Sequence, residues 1–260
     1  MATLILAGSV GTGGPQNGKP HNDPADVAKV RARLTELGFQ WVSGITTGTD
    51  KEFIRTIKLF QSIYKGKGQA DEGDGRIDLH GTTHRWLAAQ NAPGWVKVGS
   101  EGYGWKFTTP LAHGDDNGGY TTTWMADRIR WAAFEYATTA FFSVENAPPL
   151  WIRDCSPDKG GNAIGHKSHE TGLDVDMRLP LLPPYTDKWD RLEGKEYSVK
   201  FHYDAALAQL KAIRSMMEPK LVLFNDPRCI KQGLCTHEAN HGNHYHIRIK
   251  PPTRVEGIYK

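Results

Sequence analysis

The sequence predicts an α+β protein in which a small N-terminal three-helix domain precedes a larger catalytic domain with a central antiparallel sheet. In the first part of the chain, three short stretches carry apolar residues at helical spacing. In the rest, helical stretches and short apolar strands are mixed without regular βαβ order, which favours an antiparallel sheet. With 260 residues and 38% hydrophobic content, the chain can form a packed core.

The predicted domain boundaries follow changes in composition. Residues 1–23, rich in Gly, Pro and Asn, are predicted to be a flexible lead, and residues 24–90 a helical domain. A stretch with Pro, Gly and Ser at 91–105 is predicted to be a linker. Residues 106–260 then form the larger domain.

Each helix of the first unit is predicted from one stretch of sequence. The segment ADVAKVRARLTELGF has apolar residues at helical spacing, and Asp26 is predicted to cap it. The segment TDKEFIRTIKLFQSIY repeats this spacing, and GTTHRWLAAQ forms a short third helix after the turn residues DEGDGRID. The apolar residues of the first two helices are Val27, Val30, Leu34, Leu37, Phe53, Ile57, Phe60 and Tyr64.

These helical motifs carry a resemblance to a known family. The segments VRARLTELGF, TIKLFQSIY and DGRIDLHGTTHRWL are similar to the helical peptidoglycan-binding domain attached to many cell-wall hydrolases, over about residues 24–90. The resemblance implies that this unit binds the bacterial cell wall. The alternative is a helical cap that only packs on the next domain.

The second domain is predicted to begin with a long, largely buried helix, TTTWMADRIRWAAFEYATTAFF. Its Trp124, Ile129, Trp131 and Phe134 follow the helical period. Aromatic rings can stack on sugars, but this spacing favours core packing. Strands are predicted in PPLWIRDCS, LDVDMRL, LVLFND and HYHIRIK, a loop in PDKGGNAIG and a second helix in YDAALAQLKAIRSMM.

Two of the predicted strands carry metal-binding residue types on one face. Alternation places Asp174 and Asp176 together in the first strand, and His244 and His246 together in the second. Burying such groups costs free energy unless a metal or a mutual network satisfies them. A catalytic zinc needs three nitrogen or oxygen ligands and one open position. His169, Asp176 and either His244 or His246 would supply that set.

The same residues carry a second, more specific resemblance. The segments HKSHETGLDVDM and HGNHYHIRI are similar to the penicillin-insensitive murein endopeptidases, within the wider group of lysostaphin-type and D-alanyl-D-alanine metallopeptidases. This resemblance spans most of residues 100–250. The roles it implies are zinc ligands for His169, Asp176 and His246, catalytic histidines for His244 and His241, and a substrate-site lining for His166.

One position departs from related families. The D-Ala-D-Ala dipeptidases and carboxypeptidases place a glutamate base three residues before the last ligand, and this chain has Asn243 there. The resemblance therefore implies that a histidine assists the water molecule. The sequence leaves open whether His241 or His244 is that base.

Supporting residues are expected around the ligands. Ser168 and Asp174 are predicted to orient the ligands or to close the loop, because metal ligands need such partners to hold their geometry. Gly172 is predicted to let the backbone turn tightly between the two ligands on either side of it.

Together the two resemblances predict a zinc-dependent peptidoglycan hydrolase, an endopeptidase that cleaves D-Ala–meso-diaminopimelate cross-links. The cofactor is Zn²⁺ and the partner is peptidoglycan. A D,D-carboxypeptidase or an endolysin-type L-Ala–D-Glu peptidase would use the same zinc chemistry. A non-catalytic wall-binding protein with a structural zinc would need four protein ligands. A loosely finger-like set for such a zinc is Cys229, Cys235, His237 and His241.

Composition and charge bear on partners and location. The net charge of +3 is too small to indicate nucleic-acid binding, and no stretch approaches the roughly 20 apolar residues that span a bilayer. The start MATLILAGSV lacks the basic residues of a secretory signal. We expect synthesis in the cytoplasm, with action on the cell wall in the periplasm after lysis, as an endolysin, or after dedicated secretion. A secreted antibacterial effector would imply an immunity protein.

The chain has three cysteines, which are too few for a disulfide framework. A bond between Cys229 and Cys235 in an oxidising compartment and free thiols are both compatible with the sequence.

Overall fold

The computed structural model describes residues 4–13, 18–44, 47–107, 118–140, 143–166, 168–183 and 200–257. Within these ranges it contains both α-helices and β-sheets, so the predicted combination of helix and strand is confirmed. No helix of the described ranges is long and apolar enough to cross a membrane.

Three helices occupy the N-terminal unit. They are α1 (Pro24–Glu36), α2 (Lys51–Tyr64) and α3 (Thr82–Ala88), with a 3₁₀ turn at Gln40–Val42. A short strand, β1 (Val10–Gly11), pairs antiparallel with β2 (Arg76–Ile77). The apolar spacing of α1 and α2 marks their core faces, because the following residues are almost fully buried: Val27, Val30, Leu34, Phe53, Ile57 and Phe60.

The start of α1 differs from the sequence prediction. Asp23, not Asp26, caps the helix, and Pro24 takes the first helical position. Asp26 is buried and accepts hydrogen bonds from the backbone N–H groups of Ala7 and Gly8, at 2.7 and 2.9 Å. The proline starts the helix before Asp26, whose carboxylate then holds the preceding segment against the helix.

The segments predicted to be a flexible lead and a linker also hold ordered structure where they are described. In the lead, Leu4, Leu6 and Val10 are buried. The predicted linker contains the strands β3 (Trp95–Lys97) and β4 (Glu101–Gly102). Its glycine and proline content suggests a connector, but the tryptophans at its positions 95 and 105 bury large apolar side chains that anchor it.

The larger domain contains a six-stranded sheet in the order β4-β5-β7-β8-β10-β9. The strands after β4 are β5 (Trp105–Phe107), β7 (Leu150–Ile152), β8 (Asp174–Arg178), β9 (Pro219–Leu223) and β10 (His244–Ile249). β5 and β7 run parallel and the other described pairs antiparallel. The sheet is therefore mixed, not wholly antiparallel as predicted, because a crossover between β5 and β7 returns the chain in the same direction.

That crossover includes β6 (Tyr120–Thr122), which pairs with β3, and the long helix α4 (Thr123–Ala140). α4 packs against α5 (Tyr203–Met216), and a short helix, α6 (Pro227–Lys231), precedes β10. The alternate side chains of β8 and β10, including Val175 and Ile247, belong to one hydrophobic core.

The prediction that four large residues of α4 pack in the core is half wrong. Trp124 and Ile129 are buried, but Trp131 is 61% and Phe134 52% exposed. Small residues form much of the buried face of α4, where they let α5 approach closely. They are Ala126, Ala132, Ala133, Ala137 and Ala140.

The helical unit and the sheet domain share one core. Phe39 stacks on Trp95 with ring centroids 6.0 Å apart, and Trp86 contacts Trp124 edge-on at 5.6 Å. The indole N–H of Trp95 also donates to the carbonyl oxygen of Asp158 at 2.7 Å. The two units are therefore joined by packing contacts as well as by the segment that connects them.

Candidate metal centre

Strand pairing brings the predicted site residues to one face of the sheet. In the antiparallel β8–β10 pair, His246 lies opposite Asp176 and Arg248 opposite Asp174. Alternate residues of a strand share a face, so these four side chains lie together. The positions between them are apolar and buried, which explains why the chain folds with its polar residues on this side.

Two of these side chains, Asp176 and His246, form a small triangle of potential ligand atoms with His169 from the preceding loop. His169 Nε2 lies 3.1 Å from His246 Nδ1 and 3.2 Å from Asp176 Oδ1, and His246 Nδ1 lies 2.9 Å from Asp176 Oδ1. Ligand atoms that bind a tetrahedral zinc at about 2.0–2.1 Å are separated by about 3.3 Å. The triangle therefore has nearly the size that such an ion requires.

His169 reaches this triangle from a strained loop. It is fully buried, its φ is +72°, and its Nδ1 has no hydrogen-bond partner in the described part of the chain. A buried non-glycine residue with positive φ is uncommon and is often found at functional sites. The positive φ fits a residue held in place for a function, whereas the unpartnered Nδ1 points away from the triangle contacts, which are made by Nε2.

His166 lies beside the triangle. Its ring centroid is 4.5 Å from that of His169, and its Nδ1 is 3.9 Å from Asp176 Oδ2. Burial lowers the pKa of His166, which favours its neutral, ligand-competent form. His166, His169 and Asp176 form a group that could hold a metal ion.

The electrostatics of the carboxylate suit a cation. Burial raises the pKa of Asp176, but the neighbouring imidazoles of His169 and His246 outweigh this effect and hold that pKa well below its usual range. Asp176 is therefore an anion surrounded by nitrogen ligands, which is the donor set that zinc prefers.

A second carboxylate fixes the orientation of His246. Its Nε2 lies 3.0 Å from Asp174 Oδ1, while Arg248 binds both oxygens of Asp174 at 2.8 and 2.9 Å. Because a carboxylate can only accept, Nε2 donates to Asp174 and Nδ1 donates to Asp176 when no metal is bound; a metal at Nδ1 would displace the second proton. Burial opposes protonation of His246, but its bonds to the two aspartates raise its pKa to about 9.

Asp174 contacts His246, and its role in orienting a metal ligand stays a prediction; Arg248, which binds Asp174, was missed. The signal was present in the sequence, since Arg248 continues the alternation of His244 and His246 along the same strand face.

His244 lies on the other side of Asp176. Its Nε2 is 3.6 Å from Asp176 Oδ2, and its Nδ1 is 2.7 Å from Asn243 Oδ1. The amide oxygen can only accept, so Nδ1 donates and Nε2 offers a lone pair to the site. Burial lowers the pKa of His244 to about 4. Asn243 thus orients this histidine.

His241 lies at the open edge of the cluster. Its Nδ1 contacts the carbonyl oxygen of Ala239 at 2.8 Å, and its ring centroid is 4.9 Å from His244 and 5.7 Å from His246. Its backbone is held by a hydrogen bond from Asn225 N at 3.0 Å. His241 and His244 therefore flank the triangle together.

Two loop residues predicted to support the site behave differently. Gly172 has φ +66°, and a Cβ there would meet Trp95 and the backbone of residues 121–122, so the predicted tight turn is confirmed. Ser168 is half-buried, and its hydroxyl makes no hydrogen bond to another residue in the described ranges.

The finger-like alternative does not assemble. Among the described residues, Cys229, Cys235, His237 and His241 form no metal-binding group. Both cysteines are free and buried, and burial raises the pKa of Cys229 to about 12 and that of Cys235 to about 11. They are inert thiols in this structure.

The helical unit contacts the loop that carries His169. Glu170 Oε2 accepts a hydrogen bond from Ala70 N at 2.9 Å, and Thr171 Oγ1 donates to the carbonyl oxygen of Lys67 at 2.8 Å. Between these two contacts, Gly68 packs so closely on the guanidinium of Arg248 that a side chain there would clash. The loop after α2 therefore adjoins the site from the side of Asp174.

Neither a scan against protein-family models nor a search of curated proteins finds a match for the chain. The functional argument therefore rests on the residue pattern and on the geometry of this site.

Proposed function

We propose that the chain is a zinc-dependent peptidase that cleaves the peptide cross-links of bacterial peptidoglycan, at the D-Ala–meso-diaminopimelate bond. One observation carries the proposal, namely the triangle of His169, Asp176 and His246 flanked by His241 and His244. Three ligands and two further histidines are the composition of a catalytic zinc site, whereas a structural zinc uses four protein ligands.

In this proposal His169, Asp176 and His246 would hold the metal, and His166 would line the substrate site beside them. A bound zinc polarises a peptide carbonyl and lowers the pKa of water, so that hydrolysis proceeds near neutral pH. Asp174, itself held by Arg248, keeps His246 in the tautomer whose Nδ1 faces the ligand triangle.

Proton transfer falls to His244 and His241. His244 presents an unprotonated Nε2 to the site because Asn243 fixes its Nδ1 proton. That nitrogen can accept a proton from the attacking water and return it to the leaving amine. His241, at the open edge of the cluster, is placed to stabilise negative charge on the reacting group.

The helical unit at residues 24–90 is proposed to bind peptidoglycan. Its three helices and the motifs VRARLTELGF, TIKLFQSIY and DGRIDLHGTTHRWL support this assignment. Its hydrogen bonds to Glu170 and Thr171, in the loop of His169, are consistent with a wall-binding role beside the proposed catalytic residues. A wall-bound unit in that position holds the polymer close to the site, which raises its effective concentration.

The place of action in this proposal is the cell wall, reached by lysis or by dedicated secretion. In the latter case the producing cell would need an immunity protein that covers the site.

The test is mass spectrometry of Gram-negative sacculi digested with zinc-loaded protein, beside the His246→Ala variant. We expect cross-linked dimers to collapse to monomers with the wild-type protein alone. Loss of terminal D-alanine without loss of dimers would identify a carboxypeptidase, and release of whole stem peptides an L-Ala–D-Glu peptidase. An unchanged digest would reject catalysis and favour a wall-binding protein.

A further inference from the structure

Three exposed aromatic side chains lie together outside the candidate metal centre. Trp131 and Phe134 are one helical turn apart on α4, and Tyr103, which is 66% exposed, lies between β4 and β5. The rings of Tyr103 and Phe134 have centroids 5.9 Å apart. Together they line a cleft of about 540 Å³, a size typical of small-ligand sites.

The fold holds this cleft in shape. Gly104 has φ +77° and lies directly on the backbone of Ala133 in α4, where no side chain would fit. Its carbonyl oxygen accepts a hydrogen bond from Leu150 N at 2.8 Å, and Gly102 packs on the indole of the buried Trp105. The turn that carries Tyr103 is thus fixed on the helix that carries the other two rings.

Charged groups of both signs border the rings. Asp127 and Arg130 lie one turn or less before Trp131 on α4 and are joined by an exposed ion pair at 2.7 Å. Glu101 lines the opposite side of the cleft. The cleft therefore combines aromatic faces with hydrogen-bond donors and acceptors at their edges.

We propose that this cleft binds one or two sugar rings of a glycan strand. A pyranose ring has an apolar face of C–H groups, which packs on an aromatic face, and hydroxyls around its edge, which need both donors and acceptors. Nine residues line the cleft, whereas a stable protein–protein interface uses about 20–30 residues on each side, so the cleft suits a small ligand better than a second protein. The inference rests on the proposed function for the source of the glycan, since the peptidoglycan cross-links join glycan strands.

The test uses the full-length protein and a tetramer of β-1,4-linked N-acetylglucosamine as probe. The indole N–H signals are followed by ¹H–¹⁵N NMR, and that of Trp131 is assigned with Trp131→Phe. We expect this signal to shift on titration. The double variant Trp131→Ala/Phe134→Ala should bind at least tenfold more weakly, whereas Ile5→Ala, another exposed apolar residue, should bind as the wild type does.

Two outcomes would overturn the inference. One is a titration that leaves the Trp131 signal in place. The other is a dimer in sedimentation analysis that the double variant dissociates, because the occupant would then be a second copy of the chain. The His246→Ala protein separates this site from the peptidase proposal, since it should still bind the tetramer while failing to cleave cross-links. If the wild-type protein binds the tetramer but cleaves no cross-links, the peptidase proposal is rejected and the proposal of a sugar-binding cleft is retained.

Discussion

The buried polar side chains around Gln61 in the helical unit and those of the candidate metal centre differ in how they are hydrogen-bonded. In the helical unit, Gln61 donates to Asp74 Oδ1 and to the hydroxyl of Thr83, and its carbonyl accepts from Gly75 N at 2.8 Å. Around Gln61, each polar atom of the side-chain amide therefore has a hydrogen-bond partner. In the metal centre, two imidazole nitrogens 3.1 Å apart converge on one carboxylate oxygen.

The difference shows which polar residues stabilise the fold and which serve another purpose. Buried polar groups that complete each other rigidify a core, whereas a partly satisfied cluster is costly. The strained backbone of His169 adds to that cost. A bound cation would satisfy the imidazole nitrogens and the carboxylate that converge there. Substitutions in the candidate metal centre should therefore reduce metal binding, and substitutions in the helical unit should reduce stability.

The largest effect is expected from removing a proposed ligand. His246→Ala should abolish cross-link cleavage and reduce the bound zinc, measured by elemental mass spectrometry, to background. The matched control is His84→Ala, which removes another buried histidine, one that bonds Leu4 O at 2.8 Å within the helical unit. That variant should melt at a lower temperature and keep its zinc. Full zinc occupancy in His246→Ala would exclude this histidine as a ligand.

The next effect concerns proton transfer. His244→Ala should lower kcat for a purified dimeric muropeptide by about 10²–10⁴-fold, the usual contribution of a general acid–base, with zinc content unchanged. His241→Ala, measured beside it, should have the smaller effect because its Nε2 is not oriented by a side chain. The reverse order would make His241 the base.

A smaller effect is expected from the carboxylate behind the ligand. Asp174→Asn should weaken zinc affinity by about 10–100-fold, as is typical for groups that orient a metal ligand. Competition with a chromophoric chelator measures this change. Arg248→Lys loses one of two bonds to Asp174 and should have a weaker effect in the same direction. An unchanged affinity in Asp174→Asn would show that His246 needs no such partner.

The smallest effect on the site should come from the helical network. Gln61→Ala leaves buried partners unsatisfied and should lower the free energy of unfolding by about 1–3 kcal/mol, measured by urea denaturation. Zinc affinity and kcat should stay at wild-type values. A loss of zinc affinity in this folded variant would mean that the helical unit controls the metal centre.

Short-range alternation explains what the sequence could predict. In β8 and β10, the period of two fixes which side chains share a face, so Asp174 could be grouped with Asp176, and His244 with His246, before the strand order was known. Pairing of β8 with β10 brings Asp176 and His246 together, and the loop before β8 adds His169. The same alternation places Arg248 on the strand face of His244 and His246. Its partner, Asp174, lies on the neighbouring strand, so this ion pair could be identified only from the strand pairing.

Longer-range packing explains what the sequence could not predict. α4 has large apolar residues on more than one face, so helical period alone cannot choose which face α5 covers. In the structure, small residues of α4 such as Ala133 are buried, whereas Trp131 is exposed to solvent. Likewise, the glycine-rich stretch at 91–105 forms strands because distant partners, such as Thr122 opposite Trp95, complete its hydrogen bonds.

The position of Trp95 has a consequence for how the chain melts. Its ring is shared between Phe39 of the helical unit and the loop of Asp158 in the sheet domain, so neither unit retains its full core without the other. Heating should therefore give a single calorimetric transition instead of two. Exchange of the helical unit for another wall-binding module would have to replace this ring and its partners as well as the connecting residues.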